Sequence, residues 1–215
     1  MYKEENTLLL PETVYHIYNH ANGWENLFSN EGNYLFFLKR YQYFIEPIAE
    51  TLAYCLMPNH LHLMIRIRSK EALQAANTYF CLAKEIPMEE IEAIPETGYS
   101  VFLSRVFANL FSSYSQAYNK QQKRRGSLFM PNFKRKVVDN TAYYVNLIHY
   151  IHNNPVHHGF TKEAKDWQYS SYLSFLSDKQ TKLMRDEVLD WFGGKANFEA
   201  FHESQEIGDS FNFEF

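Results

Sequence analysis

The chain has 215 residues, of which 46% are apolar and 17% aromatic, and it carries a formal net charge of −4. That supply of apolar side chain excludes global disorder, and the sequence predicts neither a membrane span nor a signal peptide. The two cysteines, Cys55 and Cys81, sit in apolar surroundings, which excludes a disulfide framework or a cysteine-ligated zinc site and fits a reducing cytoplasm.

Thr13 to His20 alternates apolar and polar residues and predicts a strand, closed by turn chemistry at Asn22-Gly23. From Asn33 to about Leu52, Leu35, Phe36, Leu38, Tyr41, Phe44, Ile45, Ile48 and Ala49 recur at helical spacing, with Pro47 expected to kink or split the helix. Leu52–Met57 and His60–Arg68 read as two strands of a hairpin around Pro58-Asn59. Residues 69–100 read as a partly helical insertion, acidic between Glu85 and Glu96. Phe102 to about Gln122 predicts a helix, stopped by Lys123-Arg124-Arg125-Gly126. A fourth strand follows over Phe133–Val138. Asn140 or Thr141 then caps a helix running to about Asn153.

The first six elements match a ferredoxin-like split βαβ plan, an α+β fold whose antiparallel sheet carries its helices on one face and leaves the other for a ligand. Residues 1–175 read as the functional domain, and 176–215 as an acidic helical extension.

Charge is unevenly placed. From Asp186 onward there are eight acids and one base, so residues 1–185 carry +3. No acid occurs between Thr97 and Val138, a stretch that holds Arg105, Lys120, Lys123, Arg124, Arg125, Lys134, Arg135 and Lys136. A block of one sign suits a nucleic-acid backbone. Some of the many aromatic rings would then stack on unpaired bases.

Two segments carry candidate chemistry. In His60-Leu61-His62-Leu63-Met64-Ile65-Arg66-Ile67-Arg68, the period of a strand puts the four aliphatic residues on one face and His60, His62, Met64, Arg66 and Arg68 on the other. Two imidazoles about 7 Å apart along a strand can converge on one metal ion, and Arg66 and Arg68 would hold phosphate on that face. His-x-His alone is not a specific signal. In the helix after Asn140, Tyr150 and Asn154 share a face, a phenol to attack phosphorus and an amide oxygen to complete the ion's shell. His149, His152, His157 and His158 cluster nearby, but their spacing matches no zinc-finger pattern.

Met57-Pro58-Asn59-His60-Leu61-His62-Leu63, then Tyr150-Ile151-His152-Asn153-Asn154-Pro155-Val156-His157-His158-Gly159, then Trp167-Gln168-Tyr169-Ser170-Ser171-Tyr172 together resemble the REP-associated tyrosine transposases, single-tyrosine members of the HUH group. The resemblance covers roughly Thr13 to Phe175. It implies a ferredoxin-like fold, Mg²⁺ or Mn²⁺ on His60, His62 and Asn154, and Tyr150 as nucleophile. It further implies single-stranded or hairpin DNA as substrate, nicked and rejoined through a 5′-phosphotyrosine, with Arg66, Arg68 and the block from Lys120 to Lys136 gripping the backbone. Members of the family occur as monomers and as dimers that exchange tyrosines. The alternatives in view are a replication-initiator or relaxase type of HUH nuclease and an inactive hairpin-binding protein.

Overall fold

The aliphatic alternation around Leu61 and Leu63 sets one side of a sheet in the computed structural model, which describes residues 7–83 and 96–204. The strands are β1 (Val14–His20), β2 (Ala49–Leu56), β3 (His60–Ile67) and β4 (Lys134–Val138). They lie in the order β2-β3-β1-β4, each pair antiparallel. With α1 (Glu31–Ile45) between β1 and β2 and α3 (Glu96–Gln122) before β4, this is the expected split βαβ arrangement. Asn30 caps α1 by accepting from Asn33 N at 3.2 Å, and Asn140 caps α4 (Thr141–His157) by accepting from Tyr143 N at 2.8 Å.

Four boundaries differ from expectation, and at the start of β2 tertiary pairing outweighs the local pattern. The helix expected to reach about Leu52 ends at Ile45, so Pro47 lies beyond it and neither kinks nor splits it. Ala49, Glu50 and Thr51 pair instead with Ile67, Arg66 and Ile65, starting β2 three residues early. The helix expected to end near Asn153 continues through Pro155 to His157. In the expected insertion, α2 (Lys70–Leu82) buries Leu73, Ala76 and Phe80, and Phe80 stacks on Phe44 of α1 at 6.0 Å. The helix expected from Phe102 begins at Glu96. Residues 84–95, with the acidic run up to Glu96 and with Pro87 and Pro95, lie outside the described residues, as do 205–215 of the acidic tail.

Tyr15, Ile17, Leu61, Leu63, Ile65 and Ile67 meet α1 and α3 in the main core with Phe37, Phe44, Phe107 and Tyr114. The opposite face does not stay open as expected. There α4 buries Leu147, Ile148 and Ile151 against Val14, Ala53, Cys55 and Met64. The C-terminal helices α5 (Tyr172–Leu176), α6 (Arg185–Trp191) and α7 (Lys195–Glu203) extend this second core through Phe175, Val188 and Phe198. Helices therefore flank both faces, because the α4 sequence is apolar where it meets the sheet. Among the described residues no helix is long and apolar enough to cross a membrane.

The segment from Trp167 to Tyr172 closes the outer edge of β2. Leu56 N donates to Tyr169 O and Ser171 N to Tyr54 O, both at 2.9 Å, and Trp167 Nε1 donates to Leu56 O at 3.0 Å. Ser171 Oγ also accepts from Tyr54 N at 2.9 Å and lies 2.7 Å from His152 Nε2 of α4. It joins sheet edge, motif and helix at one buried hydroxyl. Ser171→Ala should strand the partners of that hydroxyl and cost about 1–3 kcal/mol. The expected result is a lower urea midpoint at unchanged slope; a change below about 0.5 kcal/mol would show that the hydroxyl carries none of this.

Candidate metal centre and nucleophile

The strand period predicted for β3 places His60 and His62 on the face that α4 covers. Their ring centroids are 5.2 Å apart and the rings stand at 86°. β1 supplies the next row. His20 pairs with His60 across the strands and stacks on it at 5.7 Å, and Tyr18 pairs with His62 and stacks at 6.0 Å. From α4, Asn154 Oδ1 comes within 2.7 Å of His60 Nε2, and the Tyr150 ring stands edge-on to His62 at 5.4 Å. One helical turn separates Tyr150 from Asn154, so both project onto the same histidines. Thus His60, His62, Tyr150 and Asn154, named separately from two distant segments, meet in one place.

Burial governs the protonation of this cluster. It holds the His60 imidazole down to about 4, opposed by the contact with Asn154 and reinforced by His158 and His20. Burial likewise pushes His62 well below the ordinary histidine range, with His16, His60, His158 and His20 adding to it. Both rings are neutral at pH 7. A neutral ring has one N–H, yet His60 faces two amide oxygens, Asn59 Oδ1 at 2.9 Å from Nδ1 and Asn154 Oδ1 at 2.7 Å from Nε2. With the proton on Nδ1, His60 Nε2 keeps a lone pair beside the Asn154 amide oxygen, and the two atoms are placed to act as neighbouring donors to one cation. Neighbouring ligands of an octahedral ion at about 2.1 Å are roughly 3 Å apart, close to the separation seen. Among the described residues no three His, Cys, Asp or Glu side chains converge as a metal site, so an ion here needs the amide oxygen of Asn154 as its third donor. These residues fit a divalent ion on that condition.

The cations divide into groups. Arg66 and Arg68 do not sit beside the histidines. Arg66 lies six residues along β3 from His60, roughly 20 Å at strand rise, and its guanidinium binds Glu50 at 2.6 Å and Glu187 of α6 at 2.7 Å. Arg68 contacts Glu50 at 3.4 Å and donates to Glu46 O at 2.9 Å. Carboxylates thus take the place expected for phosphate. Arg124 is held by Glu25, Asn119 Oδ1 and Ser127 O. Arg135 points to the α3 face, where it donates to Thr7 O and Ser104 Oγ and lies over the Phe133 ring at 5.4 Å. Lys120, Lys123 and Arg125 are exposed at the end of α3. Lys134 and Lys136 pair in register with Tyr18 and His16, so they share the face and the end of the sheet that hold the histidines. A groove of about 1040 Å³ on the α3 side of β4 is lined by Arg105, Phe133, Lys134 and Arg135, among others.

The expected site omitted four residues: His16, Tyr18 and His20 of β1, and His158 after α4, whose ring lies 4.9 Å from His60. The β1 histidines were detectable, since alternation puts 14, 16, 18 and 20 on one face. The remaining helix histidines form no zinc set. His152 Nδ1 meets His202 Nε2 of α7 at 2.9 Å, and His149 lies 5.3 Å from His202.

Burial holds His202 at about 3 and His149 at about 4, against 6.5 unfolded, with His149 also lowering His202 and His157 lowering His149. The unfolded chain binds more protons below pH 6.5, so this contribution to stability is present above 6.5 and lost as pH falls from 6.5 toward 4. Each such histidine steepens the loss by about 1.4 kcal/mol per pH unit. His202→Gln should remove one such slope in urea unfolding between pH 7.5 and pH 5. An identical slope in the variant would mean that His202 titrates normally in the fold.

No family model matches the chain. A Haemophilus influenzae protein named as a REP-associated tyrosine transposase is 25% identical over 126 residues, covering 57% of this chain and 58% of its own length. An Escherichia coli K12 protein of the same name is 32% identical over 74 residues, covering 34% of this chain and 41% of its own length. The chain therefore spans less than two thirds of the curated relatives it matches. The solved structure of a REP-associated tyrosine transposase bound to a REP hairpin superposes with a TM-score of 0.55 at 17% identity, covering 83% of this chain and 87% of that one. In sequence over part of its length, and in fold, this chain resembles the REP-associated tyrosine transposases.

Proposed function

We propose that this chain is a metal-dependent transposase that nicks and rejoins single-stranded or hairpin DNA through a 5′-phosphotyrosine. The observation that carries the reading is the approach of Tyr150 and Asn154, from one face of α4, to the His60-His62 pair. Two of the relatives are named as tyrosine transposases, and the structural neighbour holds a REP hairpin.

In this reading His60 Nε2, His62 and Asn154 Oδ1 hold Mg²⁺ or Mn²⁺, and Asn59 Oδ1 orients the His60 ring from behind. An ion held there would supply polarisation of the scissile phosphate and offset charge on the departing 3′ oxygen. The Tyr150 oxygen bonds to phosphorus as the P–O3′ bond breaks. The phenol proton is lost, the 3′ oxygen gains one, and the 5′ phosphate stays on the tyrosine. Attack by another 3′ hydroxyl reverses the step and joins strands. The nucleophile stands over the ligands of its own chain, which favours cleavage within one protomer. Lys134 and Lys136 at the sheet edge bind the backbone beside the site, while Lys120, Lys123 and Arg125 bind it farther out.

Tyr150→Phe keeps the ring against His62 and removes the attacking oxygen. It should bind a hairpin oligonucleotide with unchanged affinity and form no SDS-resistant adduct. Normal adduct yield would move the nucleophile elsewhere, with Tyr143 or Tyr144 next to test. His60→Ala should abolish metal-dependent nicking too; nicking at the normal rate would remove the ion from this site and favour a different chemistry.

A backbone role for the edge lysines has its own signature. Lys134→Gln with Lys136→Gln should weaken binding to every single strand alike and lower the salt slope by about 0.7 per lost contact. Arg66→Gln should leave that slope unchanged, because its guanidinium already serves two carboxylates. The reverse outcome, an effect at Arg66 and none at the lysines, would return the phosphate track to the other end of the sheet.

A further inference from the structure

His16 of β1 is fully enclosed on the face that carries the histidine pair. Its Nε2 lies 2.9 Å from His62 Nδ1, and the two rings stand side by side at 23° with centroids 5.2 Å apart. The His16 ring is also edge-on to Tyr150 at 6.3 Å. Two imidazole nitrogens that meet at this distance share one proton between them, so each ring fixes the other's tautomer.

Only two proton arrangements suit this contact. In one, His62 Nδ1–H donates to His16 Nε2, and His62 Nε2 carries a lone pair. In the other, His16 Nε2–H donates to His62 Nδ1, and His62 Nε2 carries the proton. The first can ligate an ion through Nε2; the second cannot. The first also requires an acceptor at position 16. A hydrocarbon there would leave the Nδ1–H of His62 buried without that acceptor and would remove what selects this tautomer.

We propose that His16 is a positioning residue that holds His62 in the tautomer able to bind the ion. It touches neither substrate nor ion and acts only through the His62 ring. The inference rests on the reading of His62 as an ion ligand.

Its test compares His16→Phe, which keeps a flat ring and loses the acceptor, with His16→Gln, whose amide oxygen can accept from His62 Nδ1–H. Nitrogen-15 NMR of the ion-free proteins reads the His62 tautomer directly. Calorimetry with Mn²⁺ alone reads affinity. The Phe variant should show His62 no longer held as the Nδ1–H tautomer and bind Mn²⁺ roughly tenfold to a hundredfold more weakly, as for other losses of a ligand's orienting partner. The Gln variant should keep the Nδ1–H tautomer on ion addition and bind within about threefold of the parent.

The proposal is overturned if the Phe variant binds Mn²⁺ as the parent does. It is equally overturned if Gln is as weak as Phe, which would reduce His16 to packing. A parent protein that binds no Mn²⁺ at all would instead sink the ion reading. The NMR arm would still decide the tautomer claim, since an unaltered His62 signal in the Phe variant refutes it without any ion present.

Discussion

The 2.7 Å approach of Asn154 Oδ1 to His60 Nε2 ties α4 to the sheet at the point where the proposed chemistry occurs. Its geometry depends on apolar burial farther along the same helix. Leu147, Ile148 and Ile151 are fully covered against Val14, Ala53, Cys55 and Met64. Each contributes on the order of 1.5–3 kcal/mol of burial, which outweighs a single hydrogen bond of about 1 kcal/mol. The helix is therefore placed by hydrocarbon, and its polar turn, with Tyr150 and Asn154, is delivered to the histidines as a consequence. A divided face of this kind explains how one sheet surface can be both a core and a site.

The same burial sets the electrostatics. A histidine left in water would be partly protonated near neutral pH and would repel a cation. His16, His60 and His62 are instead kept neutral by desolvation, and their mutual proximity adds to the effect. Neutral imidazoles cost less to enclose than charged ones, and they are the state in which nitrogen donates a lone pair to a metal. Two imidazoles and one amide carry no formal charge, so affinity for a doubly charged ion would be modest. Phosphate oxygens supplied by a nucleic acid would complete such a shell, linking ion and substrate.

Much of this was legible in the sequence, and what was not has a physical cause. The period of two in His60–Arg68 separated the faces of β3, because both faces are buried and each needs its own chemistry. The spacing of Tyr150 and Asn154 showed that they share a helix face; that this face meets His60 followed only from the family resemblance, since nothing local encodes it. The partners of Arg66 and Arg124 were hidden for the same reason. Those carboxylates, Glu187 and Glu25, are 121 and 99 residues away in the chain. An acid-free run identifies positive charge along the chain but is silent about acids that fold back onto it. The histidines of β1 were on view in an alternating strand, yet a strand's period cannot say which of its two faces receives a partner.

The distribution of charge follows from these pairings. Acids of the C-terminal segment and of β2 take up Arg66 at one end of the sheet, and Lys182 pairs with Glu46 at 2.7 Å. The far end has Lys134 and Lys136 on β4, an edge strand whose other side faces no strand of the sheet. Lysines on an edge discourage pairing with a second sheet, and they draw in polyanions by the same charge. A net charge of −4 is thus compatible with nucleic-acid binding, because screening over about 8 Å in physiological salt lets a local patch act apart from the total. Lys134 and Lys136 are thus the cations on the sheet face that carries the histidines and Tyr150, while Arg66 at the other end of that face is occupied by Glu50 and Glu187.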